Sequence, residues 1–319
     1  MSLTLPSYAK INWLLEVIAR RPDGYHEIRT VLQTIDLADT LHFQESDSGL
    51  EVACNHPSLP SGDANIVCRA ASLLRELKGV RRGVTITIEK RIPVAAGLGG
   101  GSSNAAVALM GLARLWELEL TAEELFQIGG ELGSDVPFFF YGGTALGVGR
   151  GAEVYPLADV AARHLLLVNP GVEVSTRSVY GQLTKKEVIS NIPVSCAAVF
   201  RASRGGRSTG AQSSFVEEGR NDLEEVILSQ VPEVGRVFRA MSETGAQAVG
   251  MSGSGPTVFA VFDSEDDAAG AEAQMSHEPW LRFCSRTVSR DEYWKHLSVV
   301  RRPLSVAGKP TDDGQRTTD

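Results

Sequence analysis

Cysteine is scarce in these 319 residues. The four present, Cys54, Cys68, Cys196 and Cys284, form no CxxC pair, and no histidine stands at zinc-finger spacing from them. That argues against a disulfide framework and a zinc module, and for thiols in a reducing compartment. No basic segment precedes the first apolar stretch and no small-residue cleavage site follows it. The run 11–18 is interrupted by Asn12 and Glu16. Neither a signal peptide nor a membrane span is expected, which leaves the cytoplasm as the location. An excess of positive charge is missing too. Lys and Arg number 31 against 39 Asp and Glu, a net charge of −8, which is the wrong balance for a nucleic-acid backbone. What remains is ordinary globular composition, 43% hydrophobic and 22% charged, in a chain long enough for two domains.

Strands are expected over 3–19, 28–36, 40–45, 83–90 and 164–169, with the turn Arg21-Pro22-Asp23-Gly24 after the first. A helix is expected over 64–78, with Asp63 placed to cap it. Another starts at Thr121, where Thr121 and Glu124 form a capping box, and runs out near Gly129-Gly130. Two more helices are expected over 222–231 and 232–244. A compositional change near 155–163 suggests two domains, 1–160 and 161–302. The polar, Gly/Ser-rich stretch 203–214 is expected to be a mobile surface loop, and the apolar-poor tail 303–319 is expected to be disordered.

The chemistry concentrates at Gly97-Leu98-Gly99-Gly100-Gly101-Ser102-Ser103, which opens directly into an Ala- and Leu-rich helix. Glycine lets backbone N–H groups converge, and a helix start adds unpaired N–H groups and partial positive charge. Together these make an anion site suited to ATP phosphates. A side chain at Gly100 or Gly101 is expected to crowd those phosphates or force a disfavoured backbone. The loop is no Walker A motif, because no Gly-Lys-Ser/Thr ends it. It is no convincing dinucleotide fingerprint either, because Pro93 spoils the preceding strand. A second glycine-dense turn, Met251-Ser252-Gly253-Ser254-Gly255-Pro256-Thr257, could close over the same phosphates or be an ordinary loop.

Lys10 either lies on the polar face of a strand or points into a cleft. Asn12 shares its parity and so its side of the strand. Asp135 either caps a turn or serves as a base for a substrate hydroxyl beside Lys10, a pairing suited to phosphoryl transfer. Tyr25 and His26 suit recognition of a planar base, with Tyr180 as a second platform and Thr176 as a nearby hydroxyl.

Tyr8–Asn12, the 93–106 segment and the 250–257 segment resemble the three motifs of the galactokinase, homoserine kinase, mevalonate kinase and phosphomevalonate kinase superfamily. More narrowly, 21–26 and 132–138 resemble its branch that acts on a cytidine diphosphate derivative of methylerythritol, in the non-mevalonate route to isoprenoid precursors. The likeness runs from residue 5 to about 300. It implies an α+β, two-domain small-metabolite kinase fold. The N-terminal domain would be like ribosomal protein S5 domain 2 and the C-terminal domain ferredoxin-like. It implies ATP with Mg²⁺, bound along Pro93, Ala95, Gly97, Leu98, Gly99, Gly100, Gly101, Ser102 and Ser103, with Asn65 near the adenine and Gly253 and Ser254 closing the loop. Lys10 and Asp135 match the catalytic pair. Asn12 and Thr176 match residues at the reacting end of the substrate, Tyr25 and Tyr180 an aromatic sandwich on cytosine, and His26 a residue reading the cytosine edge, largely through its backbone. No protein ligand set for a metal, no nucleic acid and no membrane partner is implied; a monomer or weak homodimer is expected. Trp13 departs from the smaller apolar residues common at its place. Two rivals remain: another kinase of the superfamily, against which the aromatic residues speak, and a non-catalytic sensor, which would not need Lys10 and Asp135.

Overall fold

The computed structural model describes residues 1–47, 49–57, 59, 62–183 and 219–298. The 203–214 stretch and the 303–319 tail lie outside them.

The first sheet has six strands, β1 (Ser2–Arg20), β2 (His26–Ser46), β3 (Leu50–Cys54), β4 (Gly83–Glu89), β5 (Thr144–Gly149) and β6 (Glu153–Pro156). β2 is its spine. One edge pairs with β1 along its length, and the other pairs with β4 near Thr40–Ser46 and with β5 near Ile28–Gln33. The two strands expected over 28–36 and 40–45 are therefore one. A register shift opposite Tyr8/Ala9 absorbs residues 36 and 37 without ending the pairing, as a bulge does. Helices α1 (Ile66–Lys78), α2 (Gly100–Leu115) and α3 (Ala122–Leu132) cover one face and share an apolar core with it.

Two local expectations need correction. The cap of α1 is Asn65, whose side chain accepts from the Val67 N–H at 2.9 Å, while Asp63 sits in the preceding 3₁₀ turn. Helix α3 does not stop at its glycines. A Cβ on Gly129 would lie 2.7 Å from the Phe140 ring, so the glycine serves close packing inside the helix. The Thr121–Glu124 capping box is present with both bonds.

The second sheet is antiparallel, with β7 (His164–Asn169), β8 (Ala248–Met251), β9 (Val258–Phe262) and β10 (Leu281–Arg286) in the order β10-β7-β9-β8. Its helices are α4 (Thr176–Leu183), α5 (Glu224–Gln230), α6 (Pro232–Ser242) and α7 (Glu265–Gln274). Strand alternation assigns each residue a side. Leu166, Val168, Val258 and Ala260 face the core shared with these helices, whereas Leu165, Leu167, Phe259 and Val261 face Ala9, Ile11, Trp13, Val31 and Ile35 of the first sheet. The two sheets thus bury a common apolar layer, and the other parity of β1 is left for a cleft.

Helix α8 (Arg290–His296) returns to the first core. The Tyr293 hydroxyl donates to the Phe139 carbonyl at 2.6 Å and the Trp294 indole N–H to the Tyr141 carbonyl at 2.9 Å. Both carbonyls belong to the turn that follows Asp135. Among the described residues no helix is long and apolar enough to cross a membrane.

Candidate active site

The outer edge of β1, which no strand covers among the described residues, organises the site. The Lys10 N–H donates to the Leu98 carbonyl at 2.9 Å, so the glycine loop docks on that edge in front of α2. Gly97 and Gly99 carry the left-handed backbone, at φ +76° and +69°. A Cβ on Gly97 would collide with the Ser252 carbonyl, and one on Gly99 would sit 2.9 Å from Lys10 Cγ and 3.1 Å from Phe139 Cζ. Glycine at 97 lets the two glycine-dense segments touch, and glycine at 99 leaves room for the lysine stem. The expectation for Gly100 and Gly101 shifts accordingly. Both already belong to α2 with ordinary φ; a Cβ on Gly100 would press on Ile92 at 2.9 Å, while one on Gly101 would meet nothing nearer than Ile66 at 3.9 Å.

The Lys10 side chain is 4% exposed. Its ammonium donates to Asn12 Oδ1 at 2.7 Å and to the Gly97 carbonyl at 2.8 Å. A third donor remains, and Asp135 Oδ2 lies 3.5 Å away. Asn12 in turn donates to Thr30 Oγ1 at 2.6 Å, and that hydroxyl donates to the Leu14 carbonyl. The Asp135 side chain is 37% exposed and makes no capping hydrogen bond to the 3₁₀ turn it precedes. Its carboxylate is therefore not spent on the local backbone and faces the cleft.

That cleft has a volume of about 1000 Å³. One end gathers Lys10, Asn12, Gly97, Gly99, Ser102, Asp135, Gly253 and Ser254; Tyr25, His26, Thr176 and Tyr180 line it as well, as does Ala95, a non-glycine residue at φ 53°. Thr176 and Tyr180 stand four apart on α4, hence on one face. The Thr176 and Ser254 hydroxyls are 2.8 Å apart, which joins α4 to the second glycine-dense turn. His26 and Tyr180 pack ring against ring, 5.1 Å between centroids, while Tyr25 is 55% exposed with the Arg150 guanidinium 5.1 Å over its ring. Burial pushes the His26 imidazole below its usual value, helped by the Arg20 charge, and its Nε2 is buried without a partner among the described residues. Burial, and then the Asp135 charge, pushes the Tyr180 phenol upward, so it stays a neutral donor at physiological pH.

Other expected residues do not line this cleft. Pro93, Leu98, Gly100 and Gly101 are not among its lining residues, nor is Asn65, which caps α1. Ser103 is fully buried and accepts from Ser7 Oγ at 2.8 Å. It belongs to a network of Ser7, Asn104, Asp39 and Lys90 under the loop. Sequence reading missed Arg20, Thr30, Ser134, Arg150 and Arg177, all of which line the cleft. Ser134 was within reach, as the neighbour of Asp135; the arginines carry no motif and are placed by strand and helix ends. Among the described residues no group of three or more His, Cys, Asp or Glu is gathered to hold a metal.

Two glycine-dense segments closing on a lysine–carboxylate pair define a class, the small-metabolite kinases that bind ATP without a Walker loop. Residues 65–143 match the N-terminal domain of the GHMP kinases and residues 207–280 their C-terminal domain. The chain is 42% identical over 289 residues to the 4-diphosphocytidyl-2-C-methyl-D-erythritol kinase of Geobacter sulfurreducens, covering 90% of this chain and 99% of that one. It is 43% identical over 277 residues to the kinase of the same name from Pelobacter propionicus, covering 86% and 94%. A crystal structure of 4-(cytidine 5'-diphospho)-2C-methyl-D-erythritol kinase superposes with a TM-score of 0.74 at 34% identity, over 89% of this chain and 99% of that one. The chain belongs to the 4-diphosphocytidyl-2-C-methyl-D-erythritol kinase family.

Proposed function

We propose that this chain transfers the γ-phosphoryl group of ATP to the 2-hydroxyl of 4-diphosphocytidyl-2-C-methyl-D-erythritol, giving the 2-phosphate and ADP, a step in the supply of isoprenoid precursors. The observation that carries the reading is the pairing of Lys10 with Asp135 at 3.5 Å in a cleft also lined by Tyr25, His26 and Tyr180. The hydroxyl oxygen attacks the γ-phosphorus, the bond to the ADP oxygen breaks, and the hydroxyl proton passes to the Asp135 carboxylate. Lys10 uses two N–H donors to hold its own position and turns the third to the charge on the transferring group. The α2 N-terminus, the N–H groups of the 97–101 loop and the Ser102 hydroxyl hold the phosphates, with Pro93, Ala95 and Asn65 toward the adenosine and Gly253 and Ser254 across from them. Asn12 and Thr176 orient the reacting end of the substrate, Tyr25 and Tyr180 bracket the cytosine, and His26 meets its edge.

Mg²⁺ fits this site as a companion of the nucleotide. Such an ion takes most of its ligands from phosphate and water, and among the residues lining the cleft Ser102 would offer a hydroxyl and Asp135 a carboxylate. When bound it neutralises phosphate charge.

The first sheet with α1–α3 is read as the S5-like domain. The second, in which α4–α6 stand between β7 and β8 and α7 between β9 and β10, is read as ferredoxin-like, with the division near residue 160. An ADP-release assay with the substrate and with methylerythritol phosphate lacking the cytidine tests the function. Release of ADP that depends on the cytidine moiety is expected; equal rates with both would return the chain to the wider superfamily.

A further inference from the structure

We propose that Asn221 is a positioning residue for phosphoryl transfer, which sets the direction of the Lys10 ammonium through the 251–253 turn. The inference rests on the kinase reading above for its activity readout, and on geometry alone for its second readout.

Residues 220–222 run along the outer edge of β1. Leu15 N–H donates to the Arg220 carbonyl at 2.8 Å, and Asp222 N–H donates to the Leu15 carbonyl at 2.9 Å. Asp222 also accepts from the Val17 N–H at 2.9 Å. The Asn221 backbone is therefore fixed to the strand that carries Lys10 and Asn12. Its carboxamide is fully used. Nδ2 donates to the carbonyls of Met251 and Gly253, each at 2.8 Å, and Oδ1 accepts from the Leu223 N–H at 3.0 Å. Glu224 accepts from the Met251 N–H at 3.1 Å. Between the two clamped carbonyls lies Ser252, which is fully buried. Its hydroxyl lies 2.9 Å from the Gly97 carbonyl and 3.5 Å from Asn12 Oδ1. Those are the same two oxygens that hold the Lys10 ammonium. One amide thus ties β1 to the second glycine-dense turn, and that turn fixes the acceptors of the lysine.

Packing holds the turn on one side only, where it meets Gly97. A cavity of about 150 Å³ adjoins the back of the turn, lined by Asn12, Asn221, Glu224 and Met251 among others. On the side of that cavity the turn is held by the hydrogen bonds of Asn221 and Glu224.

The test uses the full chain with Asn221→Ala and Ser252→Ala, each alone and with Lys10→Ala. In folded Asn221→Ala, kcat should fall by roughly 10–100-fold, because a displacement of about 1 Å at a reacting group costs on the order of 10²-fold. The KM for the cytidine substrate should stay within about twofold, since base recognition lies elsewhere in the cleft. In the Lys10→Ala background, either second substitution should cost no more than about twofold, because residues acting as one unit are not additive. The second readout needs no activity: the rate of acetylation of Lys10 by acetic anhydride, followed by mass spectrometry, should rise several-fold in both single variants. A kcat within twofold of wild type, full additivity with Lys10→Ala, or an unchanged acetylation rate would each overturn the proposal. Should Asn221→Ala not fold, Ser252→Ala, which loses one hydroxyl, carries the same expectations. A wild-type enzyme inactive on the cytidine substrate, with Lys10 acetylation still rising in the variants, would sink the substrate assignment and leave the positioning role standing.

Discussion

The two ends of the glycine loop should respond oppositely to the same substitution. At Gly99 the backbone is left-handed, and an added Cβ would press on Lys10 Cγ at 2.9 Å, Lys10 Cε at 3.1 Å and Phe139 Cζ at 3.1 Å. The left-handed conformation costs an L-residue about 1–2 kcal/mol, and overpacking adds about 1–3 kcal/mol. Gly99→Ala should therefore lose about 2–5 kcal/mol, which in a chain of this size lowers Tm by roughly 3–8 °C. The part of the strain relieved by moving the lysine stem appears as lost turnover, on the order of 10²-fold per ångström. At Gly101 the φ is ordinary and only Ile66 stands near, at 3.9 Å. Alanine there removes backbone freedom from the unfolded chain and favours α2, so Gly101→Ala should stay within about 1 kcal/mol of wild type or gain slightly. Any loss it shows should lie in ATP binding. Calorimetric melts and steady-state kinetics on the pair decide the matter. A Gly99→Ala enzyme that melts within 2 °C (about 1 kcal/mol) of wild type with normal kcat would refute the reasoning.

Other outcomes follow from the site. Asp135→Asn should cut kcat by roughly 10²–10⁴-fold without shifting the melt, since the carboxylate makes no capping bond; a folded variant with near-normal kcat would remove Asp135 from the chemistry. Tyr25→Ala should cost about 1–3 kcal/mol of cytidine-substrate affinity by titration calorimetry, and an equal loss for ATP would place the ring in the wrong part of the cleft. Burial holds His26 below its ordinary value, so the neutral ring's stability contribution is complete above the unfolded value and lost as pH falls through the lower folded one. NMR titration of the His26 ring should give a midpoint below the usual 6.5, and a midpoint above it would contradict the burial argument.

Strand β1 was the most legible part of the chain. Alternation alone puts Lys10 and Asn12 on one side, and their side chains do meet at 2.7 Å. The capping box at Thr121 was equally plain, because it is a local exchange of two hydrogen bonds. Other features depend on partners distant in sequence. Nothing near 36–39 says that β2 continues, because the bulge is enforced by β1. Nothing near Gly129 says that a glycine inside a helix makes room for Phe140. Asn65 and Asp63 are both good caps by type; the 3₁₀ turn over Gly62–Ala64 decides between them. Ser102 and Ser103 look alike in the motif, yet helix geometry sends one to the cleft and the other to Ser7.

The bond from Trp294 to the Tyr141 carbonyl bears on biosynthesis. The turn carrying Asp135 is braced by side chains added about 150 residues later, or roughly 8–30 s of translation at about 5–20 residues per second. A nascent chain can bring Lys10 and the glycine loop together long before that. It acquires a braced Asp135 turn only once α8 has been made, so products terminated before α8 should hold nucleotide without spending it.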